Sequence, residues 1–295
     1  MSATIGTWQY VGSDRYELGE GARSYGDGFV FVDLLAGCLY SVTGSPGCAP
    51  TLLTQLDVPL GAASPDDDGG WLVAAGTGFA SVEPDGRVHW IANPVADGPM
   101  PMRMNDGAAD PRGTFWAGAM PYDDTRGAGV LFRLDEQGSP QVVADGLSVP
   151  NGPAFDASGS VMYVADSPLG TIYRYEVDAR VGELRRRDVF ATVTSGSPDG
   201  MTVDADGCLW AAIWGGSCLH RYAADGTLLE IVDVPAVQPT SIALTTTEPY
   251  RALVTSATLG RERLSDGDGR VLTARASVGG LATQVATRPV PEPPA

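Results

Sequence analysis

Four side chains of the types that bind hard cations open copies of one short pattern. The pattern is a polar residue or Gly, then a small or apolar stretch, then Asp or a substitute at the sixth position. It reads N-D-G-A-A-D from Asn105, N-G-P-A-F-D from Asn151 and D-G-M-T-V-D from Asp199. Weaker copies are E-G-A-R-S-Y from Glu20, G-A-A-S-P-D from Gly61 and T-S-I-A-L-T from Thr240. Five of these six first positions carry a side-chain oxygen. Two carboxylates and two amide oxygens brought to one place repel or stay poorly paired, and an ion such as Ca²⁺ or Mg²⁺ resolves that conflict. Any single Asn-Gly or Asp-Gly pair reads equally well as a turn. The set does not, because no turn requires Glu at the equivalent place. Other Asp-Gly pairs, such as those at Asp27, Asp85, Asp206, Asp225, Asp266 and Asp268, fall outside this phase and read as turns. Arg103 stands two residues before Asn105. A guanidinium there either grips a substrate oxygen or carboxylate with a forked hydrogen bond, or pairs with a neighbouring acid.

Something must bring these positions together. Each copy is followed by a turn and a β-rich run: FVFVDLL after Gly28, WLVAAGT after Gly70, TFWAGAM after Gly113, SVMYVAD after Gly159 and CLWAAIW after Gly207. Further alternating runs follow, such as GVLFRLD, TIYRYEVD, CLHRYAAD and RVLTARAS, which suit half-buried antiparallel strands. The copies begin 41 to 48 residues apart, the period of a propeller blade. The expected fold is all-β: one six-bladed β-propeller over residues 1–289, with four-stranded blades around a central channel. Its innermost strands line the channel, so Glu20, Gly61, Asn105, Asn151, Asp199 and Thr240 form a ring at one mouth. An irregular β-sandwich would need the shared register of six copies to be coincidence. Residues 290–295, VPEPPA, read as a disordered Pro-rich tail.

Composition narrows the function. The chain has 295 residues, with 36 acidic side chains against 19 basic ones and a net charge of −17. Every basic residue is Arg, which excludes a Lys nucleophile or Schiff base. So acidic a surface repels phosphate backbones, and no nucleic-acid partner is expected. His89 and His220 lie in strand-like runs without a G-x-S-x-G elbow, so neither a Ser-His-Asp triad nor a zinc site is indicated. The glycine-rich stretches lack the strand–turn–helix context of nucleotide sites. Arg185, Arg186 and Arg187 read as a solvated face. Cys38, Cys48, Cys208 and Cys218 form no C-x-x-C and read as reduced thiols. No apolar run reaches membrane length, and the first residues lack the basic and apolar regions of a signal peptide. A cytoplasmic monomer or small homo-oligomer is expected.

At these residues the sequence resembles the SMP-30/gluconolactonase/regucalcin family. The matching segments are LGEG from Leu18, RMNDGAADPRGTFWAGAM from Arg103, SVPNGPAFDASGSVMYVADSPLGTIYRYEVD from Ser148, SPDGMTVDADGCLWAAIWGGSCLHRYAADG from Ser197 and QPTSIAL from Gln238. The resemblance implies one divalent cation (Ca, Zn, Mg or Mn) bound by Glu20, Asn151 and Asp199. It places Asn105 beside the metal in contact with substrate or a bound water, Arg103 on the substrate, and Asp199 as general base in the opening of a lactone. After the segment Ala117–Met120, some sugar-lactone members carry a Glu that contacts sugar hydroxyls. Here the chain reads PYDD from Pro121, and Tyr122 or Asp123 stands in that place. A metal-dependent lactonase acting on a small, weakly hydroxylated ring is therefore expected. The same ligands would also serve a non-catalytic metal- or ligand-binding propeller, or a biosynthetic enzyme that forms or rearranges a lactone.

Overall fold

A computed structural model describes residues 4–178 and 180–290. The chain forms the expected six-bladed propeller of four-stranded antiparallel blades. A short strand β1 (Gln9–Val11) precedes blade 1, which is β2 (Gly19–Tyr25), β3 (Gly28–Asp33), β4 (Cys38–Val42) and β5 (Thr51–Gln55). Blade 2 is β6 (Leu60–Pro65), β7 (Trp71–Ala75), β8 (Gly78–Val82) and β9 (Val88–Ala92). Blade 3 is β10 (Met102–Ala109), β11 (Phe115–Pro121), β12 (Gly129–Leu134) and β13 (Pro140–Leu147). Blade 4 is β14 (Pro150–Phe155), β15 (Val161–Asp166), β16 (Thr171–Val177) and β17 (Leu184–Thr192). Blade 5 is β18 (Ser197–Val203), β19 (Leu209–Trp214), β20 (Cys218–Tyr222) and β21 (Leu228–Asp233). Blade 6 contributes β22 (Pro239–Leu244), β23 (Arg251–Ser256) and β24 (Val271–Arg275). Its fourth strand is β1, paired Gln9 to Thr273 and Val11 to Val271.

The sixth residue of the repeat explains the turns. In blades 3 and 5 the carbonyls of Asp110 and Asp204 accept the N–H of Gly113 and Gly207 at 2.9 Å. Those glycines adopt φ 86° and 78°, a left-handed conformation that costs Gly little. The chain then reverses into a strand of small and aromatic residues. Inner strands are buried along nearly their whole length, while the outermost strands leave Leu52, Val142, Val189 and Ile231 exposed. The cores lie between blades. Phe79 meets Phe115 edge-on at 6.1 Å, and Trp116 meets Phe155 at 5.9 Å.

Beyond β24 the chain crosses the far end of the inner strands, away from the ring. Gly280 bridges to Asp204 of blade 5 and Ala286 to Asp66 of blade 2. Arg288 then pairs with Asp66 and Glu83, both at 2.6 Å. Of the expected tail, Val290 is placed, its N–H donating to the Glu136 carbonyl at 3.0 Å. The rest of that tail, residues 291–295, lies outside the described residues. The four cysteines are free thiols, with Cys38 and Cys218 buried and Cys48 exposed. Among the described residues, no helix is long and apolar enough to cross a membrane.

Candidate functional site

All six ring positions fall on inner strands, and each strand breaks register at or beside its ring residue. In blade 3 the pairing of β10 with β11 skips from Met104 to Gly107; in blade 5 that of β18 with β19 skips from Pro198 to Met201. Blades 1 and 4 shift between Glu20 and Arg23 and between Asn151 and Ala154. Such bulges place two residues opposite one and re-aim the side chain, a device common beside active sites. Blades 2 and 6 break by a single residue, at Gly61 and Thr240. Neither supplies a free oxygen. A Cβ on Gly61 would strike the backbone carbonyl of Asn105. The Thr240 hydroxyl is bonded to the Gly19 carbonyl and lies 2.8 Å from that of Thr255.

The other ring residues are buried and partly joined. Arg103 Nη1 donates to Asn105 Oδ1 at 2.6 Å and to the Met104 carbonyl at 3.0 Å. Asn105 Nδ2 donates to Asn151 Oδ1 at 2.7 Å and to the Pro150 carbonyl at 2.9 Å. Asn151 Nδ2 donates in turn to Ser167 Oγ at 2.9 Å, and Ser167 donates to the Pro198 carbonyl at 2.7 Å. This chain of bonds runs through blades 3, 4 and 5. It fixes the amide orientation of both asparagines, because Ser167, having spent its proton on Pro198, accepts only from an N–H. Asn151 Oδ1 keeps a second lone pair free.

The two carboxylates stand apart from this network. Glu20 is 6% exposed, and its Oε1 is buried without a hydrogen-bond partner. Burial pushes its carboxyl up to about 8. The Arg103 charge opposes that rise, while Asp106 and Asp33 add to it. Asp199, equally buried, is raised well above the ordinary range, first by burial and then by the charges of Glu20 and Asp106. The Gly200 N–H and Arg103 offset only part of this. Two adjacent buried carboxyls that resist ionisation fit a site built for a cation.

Asp106 is a site residue that the repeat pattern did not single out, although it is the middle residue of Asn105-Asp106-Gly107. Its Oδ1 pairs with Arg23 at 3.1 Å and its Oδ2 accepts the Gly152 N–H at 3.1 Å. Burial raises its carboxyl as well, against the lowering effect of Arg23. An acid at the second place of a ring motif was the available signal. Ser167 had none, since its role depends on a carbonyl 31 residues away.

The segment after Met120 divides in two. Tyr122 is 54% exposed just beyond β11, and its N–H donates to the Pro101 carbonyl at 3.2 Å. Asp123 turns into its own loop, where it accepts Thr125 Oγ1 at 2.7 Å and the Thr125 N–H at 3.1 Å. Those bonds hold its carboxyl below the usual range.

Among the described residues, no cluster of three or more His, Cys, Asp or Glu side chains is placed to hold a metal. The candidate set instead joins two carboxylates, Glu20 and Asp199, to the amide oxygen of Asn151. All-oxygen donors with one orphaned carboxylate oxygen suit Ca²⁺, Mg²⁺ or Mn²⁺ better than a soft ion.

Comparison with known proteins agrees with the fold. The family model for the SMP-30/gluconolactonase/LRE-like region matches residues 18–258. A 6-deoxy-6-sulfogluconolactonase of Pseudomonas putida is 33% identical over 260 residues, covering 85% of this chain and 88% of that protein. A pentonolactonase of Haloferax volcanii is 40% identical over 171 residues. That match covers 57% of this chain and only 56% of the relative. A crystal structure of the calcium-binding protein regucalcin from Agrobacterium tumefaciens superposes with a TM-score of 0.86 at 25% identity, over 95% of this chain and 97% of that one.

Proposed function

The chain belongs to the SMP-30/gluconolactonase/LRE-like family, and from that premise we propose that it is a lactonase that uses one divalent cation, held by Glu20, Asn151 and Asp199. The observation that carries the proposal is the pair of buried carboxyls, one with an oxygen left unpartnered, beside a fully oriented amide chain. The lactonases among its relatives support the reaction class, and the calcium-binding structural relative supports the ion.

The chemistry a divalent cation supplies there is Lewis-acid polarisation of the lactone carbonyl. The rest belongs to the chain. Asp199, at the register break of β18, takes the proton of the attacking water. As the water oxygen bonds to the carbonyl carbon, the ring C–O bond breaks, and the proton passes to the departing alkoxide to give a hydroxy acid. Arg103 has committed Nη1 to Asn105 and Met104, which leaves Nη2 and Nε to orient a substrate oxygen. Asn105, held from both sides, keeps that guanidinium and Asn151 in fixed relation. Asp106 anchors the strands beneath through Arg23 and Gly152. With Tyr122 at the mouth and Asp123 bonded to Thr125, few groups remain to bind sugar hydroxyls. Gluconolactone is then expected to be a poor substrate.

A pH-stat screen of small lactones with Ca²⁺, Mg²⁺, Mn²⁺ and Zn²⁺ tests this. The metal-loaded protein should open at least one lactone faster than the metal alone. If it opens none, the hydrolase reading fails, and a binding or lactone-forming propeller takes its place.

A further inference from the structure

Beside the ring, on the same face, lies a groove of about 570 Å³ between blades 2 and 3. Its walls are chiefly Val58, Pro59, Trp90, Met100, Met102 and Tyr122. No charged side chain lines it, in a chain whose net charge is −17. Its two side-chain polar groups besides the Tyr122 hydroxyl and the Trp90 indole are Thr77 and Asn93, and these satisfy each other at 3.1 Å. Trp90 and Tyr122 on its walls are 46% and 54% exposed.

The groove adjoins the candidate site along the backbone of β10. Met102 immediately precedes Arg103 on β10. Gly76, on the groove floor, accepts the N–H of Met104, whose own carbonyl accepts from Arg103. A ligand held at Arg103 and Asn105 by a polar end has Met102, on β10, and Tyr122, one residue past β11, as an apolar surface for whatever it carries beyond that end. The volume lies within the range of small-ligand pockets and exceeds what a bare five-membered ring needs.

We infer that this groove is a subsite for the apolar substituent of the substrate, so that the natural lactone carries an alkyl or aryl side chain on its ring. The inference rests on the lactonase reading and names the substrate class. The lactone ring sits at Arg103 and Asn105, and the substituent displaces water from Trp90, Met100 and Tyr122.

The test is a homologous series from γ-butyrolactone through γ-hexalactone to γ-octalactone with the metal-loaded protein. Catalytic efficiency should rise about three-fold per methylene, mostly through KM. Trp90→Ser should lower the ratio of γ-octalactone to γ-butyrolactone efficiency about ten-fold. Turnover that is flat along the series overturns the subsite and leaves the lactonase reading standing. Calorimetry with the matching γ-lactams, which resist opening, reads the groove without turnover. Tighter binding of the longer lactam, lost in Trp90→Ser, supports the subsite even if no lactone is opened; equal binding overturns it. Sedimentation supplies the remaining outcome. A dimer that Trp90→Ser dissociates assigns the groove to a second copy of this chain and overturns the proposal.

Discussion

Acids stand at the first residue of the repeat (Glu20 and Asp199) and, buried, at the sixth (Asp66, Asp110 and Asp204), and the fold treats the two sets in opposite ways. At the sixth position every oxygen is answered. Asp204 accepts from the N–H groups of Asp206 and Cys208, from Trp210 Nε1 and from Arg221 Nε, all at 2.9–3.0 Å. Asp110 repeats the arrangement with Arg112, Thr114 and Trp116, and Asp66 does so with Asp68, Gly70 and Arg288. At the first position, Glu20 keeps an oxygen without a partner, and Asp199 faces the Glu20 charge. A buried charge that is fully hydrogen-bonded holds a turn together; one left unanswered costs stability unless a ligand supplies the missing partner. One end of the propeller channel thus answers its buried carboxylates, and the other leaves one without a partner.

Substitution separates the two ends. Asp199→Asn should reduce lactone turnover by about 10³-fold or more, because it removes the proposed base and replaces a charged ligand oxygen with a neutral one. Thermal unfolding of the metal-free variant should be unchanged or raised, since a repelling carboxyl has gone. A clear fall in its melting temperature would place Asp199 among the structural acids. Asp204→Ala should do the reverse. It strands Trp210, Arg221 and two backbone N–H groups at a cost of roughly 3–5 kcal/mol. The melting temperature should drop on the order of 10 °C, with activity retained below it.

The comparison also predicts a pH dependence. Glu20 in the folded metal-free protein titrates near 8 rather than near its unfolded value of 4.5, and Asp199 is raised as well. The folded state therefore binds more protons than the unfolded chain. Stability present below about pH 4.5 is lost as pH climbs toward about 8. Saturating Ca²⁺ should flatten this fall by pairing the ionised carboxylates. Parallel melting curves with and without Ca²⁺ across that window would count against a cation at these residues. A smaller effect is expected one step back from the ring. Ser167→Ala should weaken Ca²⁺ binding about ten-fold by freeing the Asn151 amide to rotate, and Ser167→Thr should restore it. Calorimetric titration of the three proteins measures the difference, and equal affinities would reduce Ser167 to a packing role.

The repeat made the inner strands and their ring legible in the sequence because propeller geometry maps one position per blade onto one circle. It carried no word of what lies across blades. Asp106 and Ser167 act through Gly152 and Pro198, on neighbouring strands, and no local pattern marks such partners. The same holds for β1, whose pairing with β24 joins residues more than 250 positions apart. Thr240 shows the opposite failure. Its hydroxyl matched the ring pattern, yet the structure uses it to bind blade 6 to blade 1. Residue type and register report where a side chain points but not whether its oxygen is already taken.

The pairing of β1 with β24 also orders events in time. As the chain leaves the ribosome, blades 1 to 5 can form in turn, each from contiguous residues. Blade 6 cannot, because its outermost strand was made first and must wait for Val271–Arg275. Until then β1 is an unpaired strand beside an open ring, the kind of exposed edge that recruits other chains. The seam of the propeller is thus its point of greatest hazard during synthesis. A fusion or tag that stiffens the residues before Gln9 should lower the yield of soluble protein without altering the finished fold.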